Sequence, residues 1–150
     1  MKKVIEHLNK LISCDKIIYT GSFALNLMGI TDKVKDLDVI VVNPSTDTLA
    51  VLERLHTPYI KTDYPKDPRQ FRIIVEGVSV DIWVETNKME DCLEVNYDGL
   101  TINIAKVNNI IKAKKRYKRL KDILQLKIMA EKFYKTEDLL SFLKVEQSKY

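Results

Sequence analysis

The chain has 150 residues, enough for one ordinary domain with its own core and too few for two comfortable ones. With 45% hydrophobic and 31% charged residues it has the composition of a folding globular protein, not of a disordered or low-complexity one. The net charge of +4 is modest, no apolar run is long enough to span a bilayer, and Cys14 and Cys92 lie far apart without metal or disulfide spacing, so a cytoplasmic setting without membrane contact is expected.

Val4, Ile5, Leu8, Leu11 and Ile12 recur at helical spacing and predict a first helix ending near Ser13. Lys16 to Thr20 reads as a short buried strand. Gly21-Ser22 follows at once, and Phe23 to Met28 has helix-forming content closed by Gly29. After a polar link, Leu37 to Val42 is β-branched and too apolar for an edge, which predicts a central strand. Ser45 offers a cap for a helix carrying Leu49, Leu52 and Leu55.

The stretch from Thr57 to Gln70 holds Pro58, Pro65 and Pro68 without a sustained period and reads as a loop. Phe71 to Val75 and Val78 to Val84, joined by Glu76-Gly77, form a predicted hairpin, and Asp98-Gly99 introduces a further strand over Leu100 to Ile104. From Val107 onward the pattern is helical, with a last short helix around Leu139 to Leu143. The fold class expected is α+β: one domain with a core over about 1–105 and a helical C-terminal extension over about 106–150.

Side chains alternate faces along a strand, so Asp36 and Asp38 project to one side, about 7 Å apart. Carboxylates so placed repel each other unless a divalent cation lies between them, and hard oxygen ligands suit Mg2+ or Mn2+. Asp81 interrupts a strand otherwise built for burial and is the natural third acid. Gly21 lets the backbone approach a phosphate, the Ser22 hydroxyl can hydrogen-bond it, and the following helix presents free N–H groups.

These elements, Tyr19-Thr20-Gly21-Ser22, Asp36-Leu37-Asp38-Val39 and Val80-Asp81-Ile82, resemble in order the motifs of the nucleotidyltransferase superfamily related to DNA polymerase beta. The resemblance implies a mixed β-sheet flanked by helices, a nucleoside triphosphate substrate, a metal held by Asp36, Asp38 and Asp81, and transfer of a nucleoside monophosphate to a hydroxyl of RNA such as tRNA, a protein or a small molecule. Ile110-Ile111-Lys112-Ala113 and Arg119-Leu120-Lys121-Asp122 resemble the later part of the minimal and AbiEii toxin-like branch. That branch implies a lysine and an acid on the C-terminal helices that assist the active site, here Lys112 at the nucleotide and Asp122 as the acid, with an antitoxin partner and a role in phage defence. The basic segment itself makes Lys115, Arg119 and Lys121, beside Asp122, candidates for acceptor or phosphate contacts. Where the branch often carries a second acid after the Lys-Asp pair, this chain has Gln125.

Other residues carry less. His7 and His56 have no partner at metal-ligand spacing and read as surface or packing residues. Trp83 reads as core, and Arg69 and Arg72 as solvated. Two alternatives stand beside the enzyme: a catalytically silent nucleotide-binding protein that keeps the fold, and an RNA-binding module using the basic segment from Lys114 to Lys121.

Overall fold

The computed structural model describes residues 1–12, 16–57, 70–85 and 92–132. The chain divides into two compact units, Met1–Lys106 and Val107–Tyr150.

In the first unit, α1 (Lys2–Leu11) leads into β1 (Lys16–Thr20), α2 (Gly21–Leu27), β2 (Leu37–Val42) and α3 (Thr46–Leu55). The strands β3 (Gln70–Val75), β4 (Val78–Glu85), β5 (Cys92–Tyr97) and β6 (Leu100–Ala105) follow. Ser45 caps α3 as its position predicts, its Oγ accepting from the Thr48 N–H at 3.2 Å. Glu76 and Gly77 both take positive φ, 49° and 76°, the conformation that a tight hairpin turn needs.

The six strands form one mixed sheet in the order β3-β4-β2-β1-β6-β5. β2 pairs antiparallel with β1 and parallel with β4, so the strand expected to be central is flanked on both sides. β1 also runs parallel to β6, while β3–β4 and β5–β6 are antiparallel hairpins. One strand, β5, lies outside the sequence expectation. Its alternation of Leu93, Val95 and Tyr97 with Glu94 and Asn96 is a period-2 pattern, and Leu93 is 49% exposed because β5 is an edge.

The registers divide the sheet into two unlike faces. Tyr19, Val39 and Ile82 form one cross-strand row and Leu37 and Val80 another, all buried. Onto this face pack α1 and α2: the Tyr19 hydroxyl donates to Asn9 Oδ1 at 3.2 Å, and the Tyr19 and Phe23 rings lie 5.8 Å apart. Phe23 in turn meets Tyr97 edge-on at 5.1 Å. The opposite face carries Thr20, Asp38, Asp81 and Arg72 side by side on four neighbouring strands.

The second unit contains α4 (Val107–Tyr117) and α5 (Leu120–Lys132) among its described residues. The continuous helical pattern of the sequence is broken between them, where Lys118 takes a positive φ of 55°. The short helix expected around Leu139 to Leu143, and the expected loop apart from Thr57 and Gln70, lie outside the described residues. No helix of the described residues is long and apolar enough to cross a membrane.

Leu37, fully buried at the start of the central strand, measures how far the sheet core is built from β2. Leu37→Ala is expected to lower unfolding free energy by about 2–5 kcal/mol, read from the midpoint of urea denaturation at unchanged slope.

Candidate active site

The strand-to-helix turn comes first. β1 ends at Thr20 and α2 begins at Gly21, whose φ of 62° is left-handed. A Cβ at this position would collide with Asp38 Oδ2 and lie 2.9 Å from its Cγ. Glycine is therefore required here twice over, for its backbone conformation and for the space that the Asp38 carboxylate fills. The turn and the aspartate that follows it in sequence are in van der Waals contact, because antiparallel pairing sets Thr20 opposite Asp38.

Asp38 and Asp81 are register partners on the parallel strands β2 and β4. Partnered residues on adjacent strands share a face and stand about 5 Å apart at the backbone. Asp38 is half-buried and Asp81 is only 6% exposed. Asp36 precedes the first residue of β2 and is exposed. Ser22 is half-buried in the first turn of α2.

On its other side Asp81 faces Arg72, its register partner on β3. Arg72 Nε donates to Asp81 Oδ1 at 2.8 Å and Nη2 to Oδ2 at 3.2 Å, a two-toothed ion pair. Arg72 was expected to be solvated, and its place in this row comes from hairpin register, which arginine content does not disclose. The backbone of Arg72 is also secured: its N–H donates to His56 Nδ1 at 3.1 Å, and its carbonyl accepts from the Thr57 N–H at 2.7 Å. His56, read from sequence as a packing residue, is thus a specific acceptor, and its ring meets Phe71 edge-on at 5.7 Å.

The expected convergence of Asp36, Asp38 and Asp81 does not occur in this arrangement. Among the described residues no three His, Cys, Asp or Glu side chains gather closely enough to hold a metal ion. The physical reasons are local: Asp36 sits beyond the strand start, in solvent, and Arg72 engages both oxygens of Asp81 from the side away from Asp38.

The helical unit has a polar cluster of its own. Asp122, fully buried, accepts from Arg119 Nε at 2.7 Å, Arg119 Nη2 at 3.1 Å and the Arg119 backbone N–H at 3.2 Å, the last being half of a capping box at the start of α5. Lys114, 6% exposed, reaches Asp122 Oδ1 at 3.4 Å and also donates to Gln125 Oε1. Burial lowers the Lys114 pKa, against the opposing pull of Asp122. For Asp122 burial acts upward, but the Arg119 hydrogen bonds and the Lys114 and Arg119 charges outweigh it and hold the carboxyl below its ordinary range.

Lys112, Arg116, Lys118 and Lys121 are exposed and Lys115 is half-buried. The buried lysine of α4 is therefore Lys114, not Lys112: Lys114 falls four residues after Ile110, on the same buried stripe of the helix. That i,i+4 spacing was the available signal. Lys114 and Arg119, engaged with Asp122, leave the basic surface to the other cations of the segment.

Over 99% of this chain and 95% of the other, the structure superposes on ANT(2'')-Ia, solved in complex with adenylyl-2''-tobramycin, with a TM-score of 0.62 at 16% identity. JHP933 from Helicobacter pylori matches over 95% of this chain and 71% of its own, with a TM-score of 0.55 at 19% identity. A Thermotoga maritima protein assigned by inference to the nucleotidyltransferases matches over 82% and 89%, with a TM-score of 0.55 at 15% identity. No protein-family model and no curated protein matches the sequence. The chain has the nucleotidyltransferase fold, with the expected mixed sheet and α+β class.

Two substitutions probe these features. Gly21→Ala is expected to destabilise the protein by at least about 1 kcal/mol, from the left-handed backbone alone, and to displace the Asp38 carboxylate; thermal unfolding and a crystal structure of the variant check both. Asp122→Asn is expected to remove an acid-dependent component of stability. Because its pKa is depressed in the folded state, Asp122 stabilises the protein above its ordinary value of about 4, and that contribution disappears as pH falls through the lower folded value. The wild-type melting temperature should therefore drop more steeply than the variant's between about pH 5 and pH 2, and parallel curves would refute the assignment.

Proposed function

We propose that the protein transfers a nucleoside monophosphate from a nucleoside triphosphate to a hydroxyl acceptor in a reaction that depends on a divalent cation. The observation that carries this reading is the Asp38–Asp81 register pair closed against the Gly21 turn, in a nucleotidyltransferase-fold sheet.

The donor set suits a hard cation. Asp38 and Asp81 are carboxylates on neighbouring strands, Asp36 is the residue just before β2, and the absent Cβ at Gly21 leaves the Asp38 carboxylate room beside the turn. Asp36, Asp38 and Asp81 would hold Mg2+ or Mn2+. Such a cation, when bound, supplies neutralisation of triphosphate charge and polarisation of the phosphoryl oxygens.

The remaining work falls to the chain. The Gly21 backbone and the Ser22 hydroxyl bind phosphate oxygens and orient the triphosphate. Asp81 accepts the proton of the acceptor hydroxyl as that oxygen bonds to the α-phosphorus. The bond from the α-phosphorus to the bridging oxygen breaks, and pyrophosphate leaves.

A polyanionic acceptor such as tRNA or another RNA is supported by one observation, the exposed Lys112, Arg116, Lys118 and Lys121 of the helical unit. A small hydroxylated acceptor has its support in the similarity to ANT(2'')-Ia.

Incubation with each α-labelled triphosphate, Mg2+, and pools of RNA, protein and small alcohols tests the reading. Label transfer by the wild type is expected to fall about a hundredfold or more in Asp38→Asn and in Asp81→Asn. Equal labelling by wild type and variants would sink the catalytic assignment. Loss of transfer to RNA at raised salt, with transfer to a small alcohol unchanged, would identify the polyanion as the acceptor.

A further inference from the structure

The row Thr20, Asp38, Asp81, Arg72 contains two acids and then a cation, and the order matters. β4 lies between β2 and β3, so Asp81 has Asp38 on one flank and Arg72 on the other. A carboxylate in that position can turn its oxygens either way. In the structure both are engaged by the Arg72 guanidinium, at 2.8 Å and 3.2 Å.

The arginine is seated firmly. Its side chain is 29% exposed while that of Asp81 is 8% exposed, so much of the pair is shielded from water. Its backbone is pinned at both polar atoms by the residues that follow α3, His56 and Thr57. The planar fork grips both carboxylate oxygens at once and so fixes the carboxylate plane, which a lysine ammonium cannot do.

We infer that Arg72 is a positioning residue that holds Asp81 turned away from Asp38 and thereby keeps the affinity of the acid pair for a divalent cation low until triphosphate is present. The inference rests on the proposed metal-dependent reading of the same site. Two effects run in the same direction. The guanidinium engages the oxygens that a cation would need, and its positive charge repels a second cation at the distance of one or two strands. An incoming triphosphate carries negative charge of its own, which offsets that repulsion, so cation and nucleotide bind together more favourably than the cation alone. Arg72 would make metal binding conditional on substrate.

The test is Mn2+ binding to the full chain, without nucleotide, followed by the electron-spin resonance of the free ion. Arg72→Gln removes the charge yet keeps an amide N–H able to reach Asp81, and it is expected to bind Mn2+ about three- to tenfold more tightly than wild type. Arg72→Lys keeps the charge but not the two-toothed grip and is expected to fall between Arg72→Gln and wild type. A merely structural arginine would give the opposite sign, because loosening the site weakens ion binding.

Adding Asp81→Asn to Arg72→Gln should abolish most of the gain. The same comparison in an Asp81→Asn background, with and without Arg72→Gln, leaves no unpaired carboxylate buried and serves if Arg72→Gln alone does not fold; about a twofold gain is expected there, from the lost repulsion. Affinity unchanged or weakened on loss of Arg72, in every background that folds by circular dichroism, overturns the inference, provided Asp38→Asn still weakens Mn2+ binding. If Asp38→Asn leaves Mn2+ binding unaltered, the metal reading of the site fails, and this inference with it.

Discussion

Parallel pairing of β2 with β4 sets Asp38 beside Asp81, and the organisation of the first unit follows from that juxtaposition of like charges. Side-by-side carboxylates on a half-buried surface are costly unless each has its own means of relief. Asp38 has space and openness: it leans into the gap left by Gly21 and stays half-exposed. Asp81, nearly buried, has Arg72. The sheet can hold the pair because its other face is apolar and packed by α1 and α2, so packing against Tyr19, Val39 and Ile82 stabilises the strands that carry the two acids.

The protein uses one device twice. Asp81 and Asp122 are both buried acids gripped by an arginine fork, one across a hairpin and one within the first turn of a helix. Their surroundings separate their roles. Asp122 has in addition the Arg119 backbone N–H and Lys114, and it is closed off from solvent, which suits a structural lock between α4 and α5. Asp81 has a second acid as its register partner, which suits exchange of partners. The neighbour on the far side, more than the ion pair itself, distinguishes the two.

Much of the fold is legible in the order of residues along the chain. The strand-turn-helix at Lys16 to Leu27, the central strand Leu37–Val42, the Glu76-Gly77 hairpin and the Ser45 cap are local features, set by hydrophobic period, glycine conformation and capping chemistry within a few residues. Other features leave no such local trace. β5 is an edge strand with weak burial, so its alternation carries little hydrophobic signal. The break between α4 and α5 comes from a left-handed Lys118, a conformation that lysine does not advertise. Arg72 and His56 acquire their roles from what lies across the hairpin and at the end of α3, relations that no spacing along the chain encodes.

Sequence by itself determined that Gly21, Asp38 and Asp81 belong to strands and a turn of the right kind, because backbone conformation and burial preference are short-range properties. Tertiary structure alone decided which of them touch. The Asp38 carboxylate lies against Gly21 because β1 and β2 pair antiparallel, and Asp81 faces Arg72 because the hairpin register places them opposite each other. A shift of one residue in either register would turn the side chains to the other face of the sheet. The site therefore depends on pairing energy summed over whole strands, not on the residues of the motif.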